Sequence, residues 1–186
     1  MNAESISPRL SPLAPVASML AIAGGLAYAA EGAIVVRAPQ PDHHWHASGY
    51  AVEAAFVVAL LATIALPPLL HTAGSRLARV AARATQLGFA AMLVSAVASL
   101  GAGETLLGPV FLLGVLASLA GLFALAVPEV RARRAGWWAA PLAFAGLVLS
   151  MVLGDHGGGI LLGLAWIAIS IELRERVAAS GVPATA

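Results

Sequence analysis

Nine of the ten arginines fall at alternate ends of the apolar stretches, and that alternation constrains this chain more than any other feature. Arg76, Arg79 and Arg83 follow the second stretch, Arg131, Arg133 and Arg134 the fourth, and Arg174 and Arg176 the sixth. Arg9 precedes the first, and only Arg37 breaks the pattern. The intervening connections carry Glu104, Asp155 and a histidine cluster at His43, His44 and His46. Basic loops stay cytoplasmic because translocating them is unfavourable. The pattern predicts an all-α polytopic membrane protein: six transmembrane helices in three hairpins, both termini cytoplasmic, the histidine and carboxylate face extracytoplasmic.

Composition supports a membrane domain. The chain is 60% hydrophobic and 10% charged, with mean hydropathy +0.91, whereas soluble domains carry about 25% charged residues. Folded in water it would expose large apolar patches. Residues 15–176 are expected to form one six-helix transmembrane domain. Residues 1–14 read as a disordered cytoplasmic tail and 177–186 as a flexible C-terminal tail. The net charge of +1 is uninformative, because charge is segregated by side. Cysteine is absent, which removes disulfides and thiolate chemistry. Lysine is absent too, which removes a retinal Schiff base. Arginine without lysine, with abundant Ala, Gly and Val, suggests a high-GC bacterial genome, and so a multi-pass protein of the bacterial cytoplasmic membrane. Short interfacial arginine clusters give no reason to expect nucleic acid.

The spans read as Pro15–Val36, Gly49–Leu70, Thr85–Ala102, Leu106–Val127, Trp137–Leu153 and Gly158–Leu173. Arg9, an apolar run and Ala27-Tyr28-Ala29 also fit a cleaved signal peptide, but the apolar run continues through Ile34, Val35 and Val36. Pro67-Pro68 disturbs the inner end of the second span, and Pro128 with the arginine run closes the fourth. Trp137 and Trp138 read as an interfacial anchor. The last two spans are short for a bilayer needing about 20 residues. A re-entrant hairpin is an alternative there, although arginines flank the pair and none lies at its tip.

Ser99-x-x-x-Gly103-Glu104-x-x-x-Gly108 matches Ser150-x-x-x-Gly154-Asp155-x-x-x-Gly159. This is either a parallel duplication of two hairpins or small residues recurring every four positions where helices approach closely. On either account Ser99, Gly103, Ser150 and Gly154 are expected to face other helices.

Glu31 and Glu53 are the sharpest candidates for chemistry. Both lie below the outer ends of their spans, where lipid resists a charge. They are therefore expected to point inward at similar depth, as an acid with a base or as two metal ligands. Otherwise each snorkels outward or pairs with Arg37. Asp155 and His156 extend this candidate catalytic set, unless Asp155 only caps the sixth span. Glu104 is a further tip acid with a surface role as its alternative. Asp42, His43, His44 and His46 have the chemistry of a divalent transition-metal site, though a wet loop with Trp45 as interfacial anchor explains them equally. His71 lies at the opposite end. No pair of span histidines matches in depth, so haem is not expected, and no phosphate-binding motif suggests a nucleotide.

The loop Pro41-Asp42-His43-His44-Trp45-His46, the Gly108-Pro109-Val110-Phe111 start of the fourth span and the Ala165-Trp166 pair make the chain resemble the small polytopic membrane proteins of actinobacterial type. That resemblance is one of layout and implies no activity. Three function classes stay open. The favoured one is a non-catalytic accessory subunit or binder of a lipophilic small molecule, with lipid and other membrane subunits as partners. The alternatives are an enzyme acting on a lipid or isoprenoid by acid–base or metal-assisted chemistry, and a small proton- or ion-coupled transporter.

Overall fold

The computed structural model describes residues 14–38, 46–70, 75–133 and 136–179. Among them the chain is all-helical, with six α-helices and no strand. These are α1 (Ala14–Arg37), α2 (Ala47–Thr63), α3 (Arg76–Ala102), α4 (Gly108–Ala132), α5 (Ala139–Val152) and α6 (Gly158–Ala179). Three of them, α1, α3 and α4, are long and apolar enough to cross a membrane.

Local chemistry sets where each helix stops. Pro67 and Pro68 have no N–H to give to the carbonyls of Thr63 and Ile64, so α2 ends at Thr63, earlier than the hydropathy alone suggests. Leu66 N–H takes the Thr63 carbonyl at 3.0 Å and the Gln86 side chain takes that of Ile64 at 3.2 Å. A 3-10 turn, Pro67–Leu69, follows. Ser75 then caps α3, its hydroxyl accepting from Ala78 N–H at 3.0 Å. That cap starts α3 at Arg76, ahead of the expected Thr85. Arg76, Arg79 and Arg83 therefore ride on the exposed face of α3, while Ala78, Ala81 and Ala82 between them are buried. Pro128 does not end α4, which continues to Ala132.

At the α3–α4 tip, Gly103 takes the left-handed conformation (φ 70°) that closes α3. Leu107 is also left-handed, at φ 54°. Side chains hold this strained turn. Ser95 Oγ donates to the Leu106 carbonyl at 2.9 Å, and Leu106 N–H donates to Ser99 Oγ at 2.9 Å. The corresponding turn of the last hairpin is built differently. Gly154–His156 is a 3-10 turn, and Gly157 (φ 83°) makes the left-handed step. The Ser-Gly-acid pattern shared by the two hairpins thus gives no shared geometry at their tips.

Consecutive helices pack side by side, and α6 returns to lie against α1, closing a ring. Neighbours run antiparallel. Gly24 meets Ala59, Ala62 and Thr63; Gly88 meets Gly114 and Ser118; Gly146 meets Leu162 and Ala165; Gly25 meets Gly163 and Ile167. The ring is not a pore. Trp166 fills it from α6 with its ring 6.5 Å from that of Phe89 on α3, and Phe56 on α2 meets Phe111 on α4 at 6.0 Å. Large aliphatic side chains stand on the outside of every helix: Met19, Val58, Leu87, Leu113, Val152 and Leu164 are all more than half exposed.

Backbones approach most closely at two seams. On α1 and α6, Gly25 and Gly32 face Gly163 and Gly159. On α3 and α4, Gly88 faces Gly114, and Gly121 faces Ala81 and Thr85. The expected small-residue spine holds only in part. Ser99 is buried but clamps a turn, Gly103 is a helix cap facing Tyr50 of α2, and the Ser150 backbone lies against Gly158 of α6. Gly154 is the exception, with open space around it.

Candidate functional site

One end of the bundle gathers the last turn of α1, the first turn of α2 and the tips of the α3–α4 and α5–α6 hairpins. Here the helix ends splay around a cavity of about 540 Å³. Its mouth is formed by Ala38, Gly49, Thr105, Gly154 and Asp155. Its floor is Tyr28, Phe56 and Phe111, whose rings form a chain with both centroid separations at 6.0 Å. Glu31 and Glu53 stand between mouth and floor, with Val35, Val52 and Met151 as apolar wall.

Helix geometry brings the two carboxylates together. Glu31 on α1 and Glu53 on α2 each lie about 9 Å inside the helix end at 1.5 Å per residue. The two helices are antiparallel neighbours, so equal depth places both on the same cavity. Both are half-buried. Neither makes an ion pair among the described residues, so neither is paired with Arg37. Glycine explains how Glu31 fits. Gly159 of α6 lies directly behind it, where a Cβ would collide with the Glu31 carboxylate and stand 2.7 Å from the Tyr28 carbonyl oxygen.

Asp155 lines the same cavity from the α5–α6 tip. It does not serve the expected capping role, because the turn closes on backbone alone. His156 N–H bonds Leu153 O at 2.8 Å, and Gly158 N–H bonds the same oxygen at 3.0 Å. His156 is exposed and outside the lining, as is Glu104. His46, exposed, directly precedes α2. Asp42, His43, His44 and His71 lie outside the described residues. Among the described residues no three His, Asp or Glu side chains group as a metal-ligand set.

The aromatic floor was not anticipated from the sequence, yet a signal for it exists. Tyr28 precedes Glu31 by three residues and Phe56 follows Glu53 by three. That spacing places each ring on the same helix face as its carboxylate. Two buried acids at the opposite end were also missed. Glu129 is 1% and Glu172 7% exposed, and each is engaged in polar or electrostatic interactions. Each precedes an arginine by four residues, Arg133 and Arg176, which marks it as part of the basic end. Nearby, Arg174 Nε donates to Ser18 Oγ at 2.8 Å, and Ser18 donates to the Ser170 carbonyl at 3.2 Å. These bonds fasten α6 to α1 at the end away from the cavity.

No known protein family, curated protein or solved structure matches the chain.

Proposed function

We propose that this chain is a small multi-pass protein of a bacterial cytoplasmic membrane that holds a lipophilic small molecule in its acid-lined cavity, as a non-catalytic binding or accessory module. All six helices cross the bilayer, both termini are cytoplasmic, and the cavity opens to the extracytoplasmic side. Support for six crossings comes from the large aliphatic side chains exposed on every helix, a surface that lipid accepts and water does not. Support for the orientation comes from the arginines at the end opposite the cavity. With 14 residues, α5 spans only about 21 Å. The turns on either side of it, Gly136–Trp138 and Gly154–His156, lengthen the crossing, and local thinning of the bilayer takes up the remainder.

The observation that carries the function is the cavity. Its volume lies within the about 300–1,000 Å³ common for small-ligand sites, and it pairs an apolar wall with a few convergent polar groups, the usual composition of such sites.

Two measurements test this. Single cysteines at Ser48, Thr105 and His156 should be labelled in intact cells by an impermeant thiol reagent, and cysteines at Ser75 and Ala132 should not. Labelling of the latter pair reverses the orientation. For the cavity, purified protein should bind the neutral fluorophore N-phenyl-1-naphthylamine saturably. Gly154→Trp should abolish that binding without unfolding the protein, because the space beside Gly154 is open and belongs to the mouth. Equal binding by the variant would place the dye elsewhere and remove the function.

A further inference from the structure

The cavity walls select a ligand by charge. Among the described residues that line it, Glu31, Glu53 and Asp155 are acids and none is a base. Glu31 and Glu53 lie at a depth where lipid is a poor solvent for charge, without an ion pair in the described protein. A carboxylate so placed is neutralised either by a proton or by a counter-charge, and the cavity is where a cation can enter. Independently of the acids, the floor is aromatic. Tyr28, Phe56 and Phe111 form a connected cluster, and ring faces attract cations. A bare metal ion suits this lining poorly. Divalent ions want about six oxygen ligands or a tight set of nitrogen and oxygen donors, and here the carboxylates share the wall with valine, methionine and phenylalanine. A cavity of about 540 Å³ is also far larger than an ion. A phospholipid headgroup fits no better, since among the described lining residues no base receives its phosphate.

We propose that the ligand is a free organic cation, a quaternary or protonated amine or an equivalent onium ion with an apolar body, its charge held between Glu31, Glu53 and Asp155 and its body on the Tyr28, Phe56 and Phe111 rings. This rests on the binding function proposed above and narrows it to one chemical class.

Tetraphenylphosphonium and tetraphenylborate test it, being nearly identical in size and shape and opposite in charge. Full-length protein in uncharged dodecyl maltoside is dialysed to equilibrium against each ion, and binding is taken as the difference from protein-free micelles. The phosphonium should bind saturably and at least about tenfold more tightly than the borate. Glu31→Gln combined with Glu53→Gln should abolish that preference, bringing the two affinities to within about threefold. The melting temperature and gel-filtration profile of the variant report that it is folded. Gly154→Trp should remove phosphonium binding altogether. Equal binding of both ions, or an undiminished preference in the double glutamine variant, overturns the cation inference. If N-phenyl-1-naphthylamine still binds the wild type in a Gly154-dependent way, only the ligand class has failed. If neither it nor either ion binds, the binding function fails with it.

Discussion

Gly163→Leu should be the most damaging single substitution in the bundle, and Gly154→Leu should be nearly silent. The two glycines sit nine positions apart around the start of α6, and the sequence alone ranks them alike. A Cβ at Gly163 would run into the Gly25 carbonyl oxygen and stand 2.7 Å from Ala29 N. Both are backbone atoms, which no change of rotamer can move. The clash is relieved only by parting α1 from α6, the pair that closes the ring. Overpacking of this kind costs about 1–3 kcal/mol or more. The upper end applies here, because α1 and α6 lie at opposite ends of the chain and no short loop holds them together. Their seam also carries the Arg174–Ser18 bond, which would be pulled open with it. A Cβ at Gly154 meets nothing within 4 Å, and leucine there should change stability by about 0.5 kcal/mol or less. Unfolding of both variants in mixed micelles, followed by tryptophan fluorescence, decides the matter. A Gly163→Leu protein that melts with the wild type would mean that the α1–α6 seam does not close the bundle.

That contrast also marks the limit of what could be read in the sequence. The six helices and the grouping of their ends follow from the arginines, because charge must be parted from apolar segments wherever it occurs. The shared depth of Glu31 and Glu53 follows as well, since a hairpin of known rise places residues equidistant from its turn at one level. Pairing between distant elements has no such signature. Nothing in the spacing of Gly25 and Gly32 names Gly163 and Gly159 as their partners rather than Gly114. The Ser99 and Gly103 pattern drew attention because it repeats, but its serine serves a turn and its glycine a left-handed cap. Pro67 and Pro68 were visible as a disturbance. That the freed Ile64 carbonyl would be taken by Gln86, a residue of the next helix, was not visible. The aromatic floor sits in between. Its rings lie three residues from the two acids, a local regularity that becomes meaningful only once both acids are known to face inward.

Gly159→Ala should separate the site from the scaffold. Gly159 is the point where the α1–α6 seam and the cavity meet. A methyl group there would press on the Glu31 carboxylate and stand 2.7 Å from the Tyr28 carbonyl oxygen and 3.0 Å from Gly32 N. Glu31 can yield by changing rotamer, which swings its carboxylate away from the place it holds beside Glu53. The backbone atoms can yield only if α1 and α6 move apart at the cavity, carrying Tyr28 with them. Two effects are therefore expected together. Stability should fall by about 1–3 kcal/mol, as for other overpacked helix contacts, and affinity for tetraphenylphosphonium should fall by about tenfold or more. Gly146→Ala is the matched control. A Cβ there would stand 3.0 Å from the Ala165 Cβ and 3.3 Å from a Leu162 methyl, side-chain contacts on the α5–α6 face. It should reduce stability modestly and leave affinity unchanged. The coupling of the two losses at Gly159 is the informative result, because a general loosening of the bundle would lower affinity in the Gly146 variant as well. A Gly159→Ala protein that loses stability as expected but binds the phosphonium like the wild type would show that the placement of Glu31 against α6 has no part in holding the ligand, and the carboxylate would have to be removed from the site.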